Sequence, residues 1–218
     1  MKNKFFTFIG PIAAGKGTQA QILCKKYGMY HLSTGQIFRD AISSETELGI
    51  KVKNLIDNGF LVPDAITNEI VKEKLSTLDL SKGFILDGYP RTINQVYALQ
   101  DTLSYFNIEL SKAVLITVTE EETIRRISGR FTCAKCGKNY HDEFNRPKVD
   151  GVCDNCGSTE FSRRNDDKPE IVKTRLKQYF SEVQPMIDFY EGKNLLVKLE
   201  ATNLSVEEVT KRLEGLLF

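Results

Sequence analysis

Residues 5–18 read FFTFIGPIAAGKGT. Phe5 to Ile9 is a short, almost continuous apolar run closed by Gly10, the pattern of a strand buried on both faces of a parallel sheet. Helical periodicity follows over 17–27, so Gly10-x4-Gly15-Lys16 stands between a strand and a helix. That is the setting of a phosphate-binding loop rather than of a plain Gly/Ala turn. Backbone N–H groups and the helix N-terminus point at one anion, and Lys16 adds a full charge for β- and γ-phosphates. Gly17 occupies the place where Ser or Thr commonly follows the lysine, which moves the hydroxyl to Thr18. Ala13 carries a Cβ where a close backbone approach favours Gly.

Working outward, three more apolar runs follow, at 84–86, 113–118 and 195–199, and His31 adjoins a further short strand. Helical periodicity fills 64–76, 92–105 and 168–191, with Pro185 predicting a kink inside the last. Thr119-x-x-Glu122 and Ser205-x-x-Glu208 fit capping boxes that start two more helices. Strands alternating with helices predict an α/β fold: a doubly wound, five-stranded parallel sheet.

Residues 130–167 break the alternation. They show little periodicity of either kind, but hold four cysteines spaced Cys133-x2-Cys136-x16-Cys153-x2-Cys156. Two C-x2-C pairs at this separation read as a structural zinc site with four thiolate ligands and no open position, so the Zn2+ should be structural. Gly137 and Gly157 allow the tight turns. Two disulfides or an iron centre are the alternatives. Such a metal can hold together a unit with almost no core of its own. His141 is a fifth candidate ligand, although four cysteines already complete the shell.

The chain has 218 residues, with 30 Lys and Arg against 29 Asp and Glu. This near-neutral balance argues against an obligate nucleic-acid binder, because phosphate neutralisation needs surplus positive charge. The cysteine-rich segment is no exception, with seven basic against seven acidic residues. No apolar run approaches the roughly 18 residues that span a bilayer. Lys2, Lys4 and the apolar stretch after them imitate a signal peptide, but cleavage there would remove the phosphate-loop motif. An odd number of cysteines, four of them in close pairs, fits a reducing cytoplasm better than a secreted disulfide framework. Cys24 reads as a small buried hydrophobe and His31 as a core or edge residue. Glu120 to Glu122 reads as a first turn favoured by the helix dipole.

A second motif, Asp87-Gly88-Tyr89-Pro90-Arg91-Thr92, leaves the carboxyl end of the 84–86 run. Ligands of open parallel sheets bind outside those ends. Asp87 can hold Mg2+ through water and Arg91 can fork onto a phosphate.

Taken in order, Gly15-Lys16-Gly17-Thr18-Gln19, Leu32-Ser33-Thr34-Gly35 with Arg39, Leu61-Val62-Pro63-Asp64 and Asp87 to Thr92 resemble adenylate kinase over essentially the whole chain. The resemblance implies reversible, Mg2+-dependent phosphoryl transfer, ATP + AMP = 2 ADP, by a cytoplasmic monomer with no nucleic-acid or membrane partner. It implies a core of 1–32, 63–129 and 168–218, an AMP-binding helical insert at 33–62 and a zinc-held lid at 130–167. Ala13, Ala14, Gly15, Lys16, Gly17 and Thr18 would wrap the ATP phosphates, with Arg130, Asn139, Tyr140 and Asn203 completing the ATP site. Thr34, Arg39, Phe60, Leu61, Val62, Gly88, Tyr89, Pro90, Arg91 and Gln95 would form the AMP site together with Arg164 and Arg175. Lys16, Arg91, Arg126, Arg130, Arg164 and Arg175 would be catalytic. Thr34 argues for AMP over UMP, CMP or GMP, because related pyrimidine monophosphate kinases usually have Ala there. Ile12-Ala13 stands where the family usually has Pro-Gly, Tyr89 where it has Phe, and Glu200-Ala201 where it has Asp-Gly. A nucleotide-binding module without turnover is the reading Ala13 would favour.

Overall fold

Phe5–Ile9 forms β1, the central strand of the main sheet, with all five residues buried. The computed structural model describes residues 4–218. After β1 come α1 (Lys16–Tyr27), β2 (Tyr30–Ser33), α2 (Thr34–Ser43), α3 (Glu47–Asp57), α4 (Asp64–Ser76), β3 (Phe84–Asp87), α5 (Ile93–Tyr105) and β4 (Lys112–Thr117). They are followed by α6 (Glu120–Ser128), β5 (Arg130–Cys133), β6 (Asn139–His141), β7 (Phe161–Ser162), α7 (Pro169–Gly192), β8 (Leu196–Glu200) and α8 (Val206–Leu217).

The main sheet is five-stranded and parallel throughout, in the order β2-β3-β1-β4-β8. Successive side chains alternate between faces, so β1 feeds both layers. Phe6 and Phe8 pack with Leu23 of α1 and Val209 and Leu213 of α8. Phe5 packs on the other face with Leu75 of α4 and Leu99 of α5, and Ile9 with Met186 of α7. Helices on both faces make the sheet doubly wound, as the alternation predicted, and leave its carboxyl edge to the loops.

The expected helices α1, α4, α5 and α7 lie within a residue of their predicted spans, and α7 runs unbroken through Pro185. Two expectations need correction. Residues 130–162 are not devoid of strands: β5, β6 and β7 form a small antiparallel sheet in the order β6-β5-β7. Strands of two to four residues are too short to show alternation in sequence. The two capping boxes also differ. At α8 both halves form, with Ser205 N–H donating to Glu208 Oε2 at 2.8 Å and Glu208 N–H to Ser205 Oγ at 3.2 Å. At α6 only Thr119 caps, accepting from Glu122 N–H. The Glu122 side chain turns inward instead, is buried, and pairs with Arg126 Nε at 2.9 Å.

Ser205→Ala removes one complete box from the helix that covers β1. It should lower unfolding free energy by about 1 kcal/mol, read as a drop in urea midpoint at constant slope.

Candidate active site

The loop after β1 turns back over the sheet edge and delivers Gly15 as the cap of α1. Lys16 folds over the loop, its ammonium donating to the Gly10 carbonyl at 2.8 Å and the Pro11 carbonyl at 2.6 Å. A Cβ on Gly17 would stand 3.0 Å from Asp87 Oδ2. A side chain after the lysine would thus crowd the carboxylate of β3, and the next residue, Thr18, carries the hydroxyl. Ala13 adopts φ 55°, a left-handed conformation that costs a non-glycine residue roughly 1–2 kcal/mol. With Ile12 it packs against Ile127 of α6 and Val172 and Leu176 of α7, so the extra methyl has an apolar seat.

A cavity of about 710 Å3 opens at this edge, within the size range of small-molecule sites. It brings together Ala13, Ala14, Gly15, Lys16, Gly17, Thr18, Arg39, Leu61, Asp87, Gly88, Pro90, Arg91, Arg126, Arg130, Asn139, Tyr140, Arg164 and Arg175. A smaller cavity beside it is lined by Thr34, Phe60, Val62 and Gln95, and shares Arg39, Leu61, Gly88, Arg91 and Arg175 with the first. Two expected residues lie elsewhere. Tyr89 is 1 % exposed, its side chain directed into the core, where its hydroxyl donates to Asn68 Oδ1 at 2.8 Å. Asn203 is exposed in a turn with φ 58°, and the following Leu204, Ser205 and Val206 line the cavity in its place. Tyr140 lines the cavity, yet its hydroxyl accepts from Asp154 N–H at 2.7 Å and donates to Cys153 Sγ at 3.4 Å.

The electrostatics are those of a cationic pocket. Burial pushes Lys16 down to about 7, opposed by Asp87 and assisted by Arg91, Arg175 and Arg130. Arg39, Arg91, Arg164 and Arg175 are all lowered, first by burial and further by neighbouring arginines, Arg130 included. Groups that depress each other in this way create a field complementary to an anion. Carboxylates pair with several of these cations. Arg130 makes a two-pronged pair with Asp167, with Nε 2.9 Å from Oδ2, and Arg175 pairs with Asp166. Arg126 joins Glu122 to the Ala201 carbonyl, each at 2.9 Å. Burial acts to raise Asp87, but hydrogen bonds from His31 and Ser33 and the charge of Lys16 hold it down at about 2.

Sequence reasoning missed four of these residues. His31 is not merely an edge residue: Nε2 lies 3.3 Å from Asp87 Oδ2, and the ring lines the cavity. Its signal was a place on an edge strand, two residues before Ser33 and so on the same face. Glu122 did more than favour a helix dipole, and Asp166 and Asp167 were visible only as charges at the end of the 130–167 segment. Cys24 is buried with its thiol pushed up to about 12 by burial, in keeping with an inert core role.

Above the cavity, Cys133, Cys136, Cys153 and Cys156 place all four Sγ atoms within 4.8 Å of one another. The cross-pairs stand at 3.5 and 3.6 Å and all four are free thiols. A tetrahedral ion with ~2.3 Å metal–sulfur bonds needs sulfurs about 3.8 Å apart, so the set can hold a metal ion. The two turns are built alike: Gly137 N–H bonds to Cys133 O at 3.0 Å and Gly157 N–H to Cys153 O at 2.8 Å, with φ 71° and 72°. His141 is not a ligand. It is buried, and Nδ1 accepts from Glu143 and Phe144 N–H groups at 3.0 and 3.2 Å. This unit reaches across the cavity, since a Cβ on Gly137 would lie 3.4 Å from the Gln36 amide of α2.

A glycine loop on a helix N-terminus, arginines converging on it and two joined cavities at the carboxyl edge of a doubly wound sheet define a P-loop phosphotransferase. The adenylate kinase family model matches residues 8–195. Adenylate kinase of Allorhizobium ampelinum is 47% identical over 209 residues, covering 96% of each chain. That of Fervidobacterium nodosum is 47% identical over 210 residues, 96% of this chain and 95% of the relative. That of Enterococcus faecalis is 48% identical over 188 residues, 86% and 87%. The chain belongs to the adenylate kinase family. It is a nucleoside monophosphate kinase whose family reaction is ATP + AMP = 2 ADP, with Mg2+ accompanying ATP.

Bound polyphosphate favours the Lys16 ammonium and raises a group that ionises near 7 without ligand. Between those two values binding takes up a proton, so affinity falls as pH rises through the window. Calorimetric titration with ADP at pH 8, in two buffers of different ionisation enthalpy, should show uptake approaching one proton. Lys16→Met should abolish it; equal uptake in both proteins contradicts the assignment.

Proposed function

We propose the following division of labour for the adenylate kinase reaction. Residues 1–32, 63–129 and 168–218 form the core, 33–62 the AMP-binding insert and 130–167 the lid. Lys16 and the 13–18 loop hold the ATP phosphates, with Asn139 and Tyr140 on the side of the ATP base. Arg39 and Arg91 hold the AMP phosphate; Thr34, Phe60, Leu61, Val62, Gly88, Pro90 and Gln95 enclose the rest of AMP. Arg126, Arg130, Arg164 and Arg175 surround the group in transfer. The observation that carries this reading is that Arg39, Arg91 and Arg175 line both cavities. A phosphoryl group passing between donor and acceptor would then never leave the reach of guanidinium groups.

No side chain need act as nucleophile or base. The AMP phosphate is already an anionic nucleophile, so catalysis reduces to alignment and stabilisation of spreading charge. Asp87, ionised and adjacent to the loop, and the Thr18 hydroxyl would hold Mg2+, which supplies charge neutralisation at the ATP phosphates. Water would compete with AMP as acceptor in an open site, so the 130–167 unit must cover the cavity during transfer. The four cysteines would hold zinc, with a structural role.

We read the chain as a cytoplasmic monomer acting on ATP, AMP and ADP, with no nucleic-acid or membrane partner. Free thiols throughout and the neutral charge of the lid support this reading. No helix among the described residues is long and apolar enough to cross a membrane.

A coupled assay for ADP formation from ATP and Mg2+, offering AMP, UMP, CMP and GMP in turn, tests the acceptor site. AMP should be strongly preferred. Preference for another monophosphate would keep the transfer chemistry and overturn the reading of Thr34, and no turnover from folded, metal-loaded protein would overturn the reading as a whole.

Chelation tests the metal. It should lower the melting temperature while leaving the rate at low temperature nearly unchanged. Immediate loss of activity with the lid still folded would contradict a structural role.

A further inference from the structure

Asp64 is the first residue of α4, where an acidic side chain ordinarily does no more than favour the helix dipole. Here neither oxygen serves its own helix. Oδ2 accepts from the Thr92 hydroxyl at 2.9 Å and Oδ1 from Gln95 Nε2 at 2.7 Å, both residues at the start of α5. The other end of the Gln95 amide is also held, Oε1 accepting from Arg91 N–H at 2.8 Å. Gln95 is 1 % exposed and lines the smaller cavity. A carboxylate can only accept and a backbone N–H can only donate, so the pair fixes which end of the amide is nitrogen and which is oxygen. Among the described residues, one Nε2–H and one Oε1 lone pair of Gln95 have no further partner.

We propose that Asp64 is a specificity-determining positioning residue: it locks the Gln95 amide against flipping, so that the acceptor site reads a 6-aminopurine and rejects a 6-oxopurine. The reading rests on the assignment of Gln95 to the AMP site. A 6-aminopurine presents an acceptor at ring N1 beside a donor at N6, and a 6-oxopurine presents the reverse. A free amide serves either by rotating half a turn. A locked amide matches one and leaves donor against donor with the other, which is discrimination built from a repulsive element. Asp64 touches no substrate in this scheme; it acts through Gln95.

The test uses Asp64→Asn, which keeps size and shape but offers either an oxygen or an NH2 group to Gln95. The control is Asn68→Ala on the same helix, which removes the brace to Tyr89 and leaves the Gln95 side-chain bonds intact. The probes are AMP and inosine monophosphate with ATP held saturating. Asp64→Asn should reduce the ratio of kcat/KM for AMP over inosine monophosphate at least tenfold with KM for ATP unchanged, while Asn68→Ala leaves the ratio at its wild-type value. A proportional loss with both acceptors, or an equal fall in the ratio in both variants, would make Asp64 a structural brace and overturn the proposal. Gln95→Ala separates the two levels: if it leaves KM for AMP unchanged, the assignment of Gln95 to the AMP site fails, and the role of Asp64 with it.

Discussion

Like charges gathered in a buried cleft repel one another, and this protein concentrates arginines and Lys16 at one edge of its sheet. What makes the arrangement tolerable is a group of carboxylates set against the cations, two of which, Asp87 and Asp166, line the cavities among them. Asp166 and Asp167 take Arg175 and Arg130, Glu122 takes Arg126, and the charge of Asp87 acts on Lys16. Breaking such a pair from the acidic side leaves an uncompensated buried charge, which costs far more than a surface bridge is worth. Lys16 and four arginines are nevertheless lowered, first by burial and further by neighbouring positive charges. The folded protein therefore holds positive charge away from water at this edge, where an anion such as a nucleotide phosphate is favoured.

The same constraint explains where the small cysteine-rich sheet attaches. Arg130 opens it and Arg164 to Asp167 close it, so the ion pair of Arg130 with Asp167 ties entry strand to exit turn at the base. Above that tie the unit has a minimal core, in which Phe131, Tyr140 and Phe161 pack with ring centroids 5.4–5.7 Å apart beside the thiols. An aromatic cluster of this size cannot order some forty residues against chain entropy, whereas four sulfurs drawn onto one ion can. Tyr140 joins the two devices, giving its ring to the cluster and its hydroxyl to Cys153. Its hydroxyl is thereby committed to the framework of this small unit.

How much of this was legible beforehand followed the range of the interactions. β1, its loop and α1 were readable because hydrophobic period and glycine spacing are local properties. So were the paired cysteines, whose x2 spacing is itself the turn that aims them. His31 was not, because its meaning lies in Asp87, fifty-six residues away on the neighbouring strand. Glu122 was misread for a related reason: the local rule assigned it to a capping box, and Arg126 one turn later outbid the backbone. Asp64 looked like a helix start and became a clamp on another helix. In each case the chemistry was in the sequence but the partner was supplied by strand pairing or helix packing.

The phosphate loop shows the converse, a local rule that the chain breaks without breaking the structure. Glycine is expected at position 13 because the backbone there is left-handed, and Ala13 adopts that conformation anyway at φ 55°. The strain of roughly 1–2 kcal/mol is set against burial of Ile12 and Ala13 on Ile127, Val172 and Leu176, and burying even two or three methylene equivalents contributes about 2 kcal/mol. The terms are comparable, so the substitution costs little. The compensating contacts come from α6 and α7, the helices that lead into and out of the small cysteine-rich sheet. What the loop requires is therefore a backbone path that presents N–H groups to an anion, and packing from two helices can hold that path where glycine would otherwise be needed to permit it.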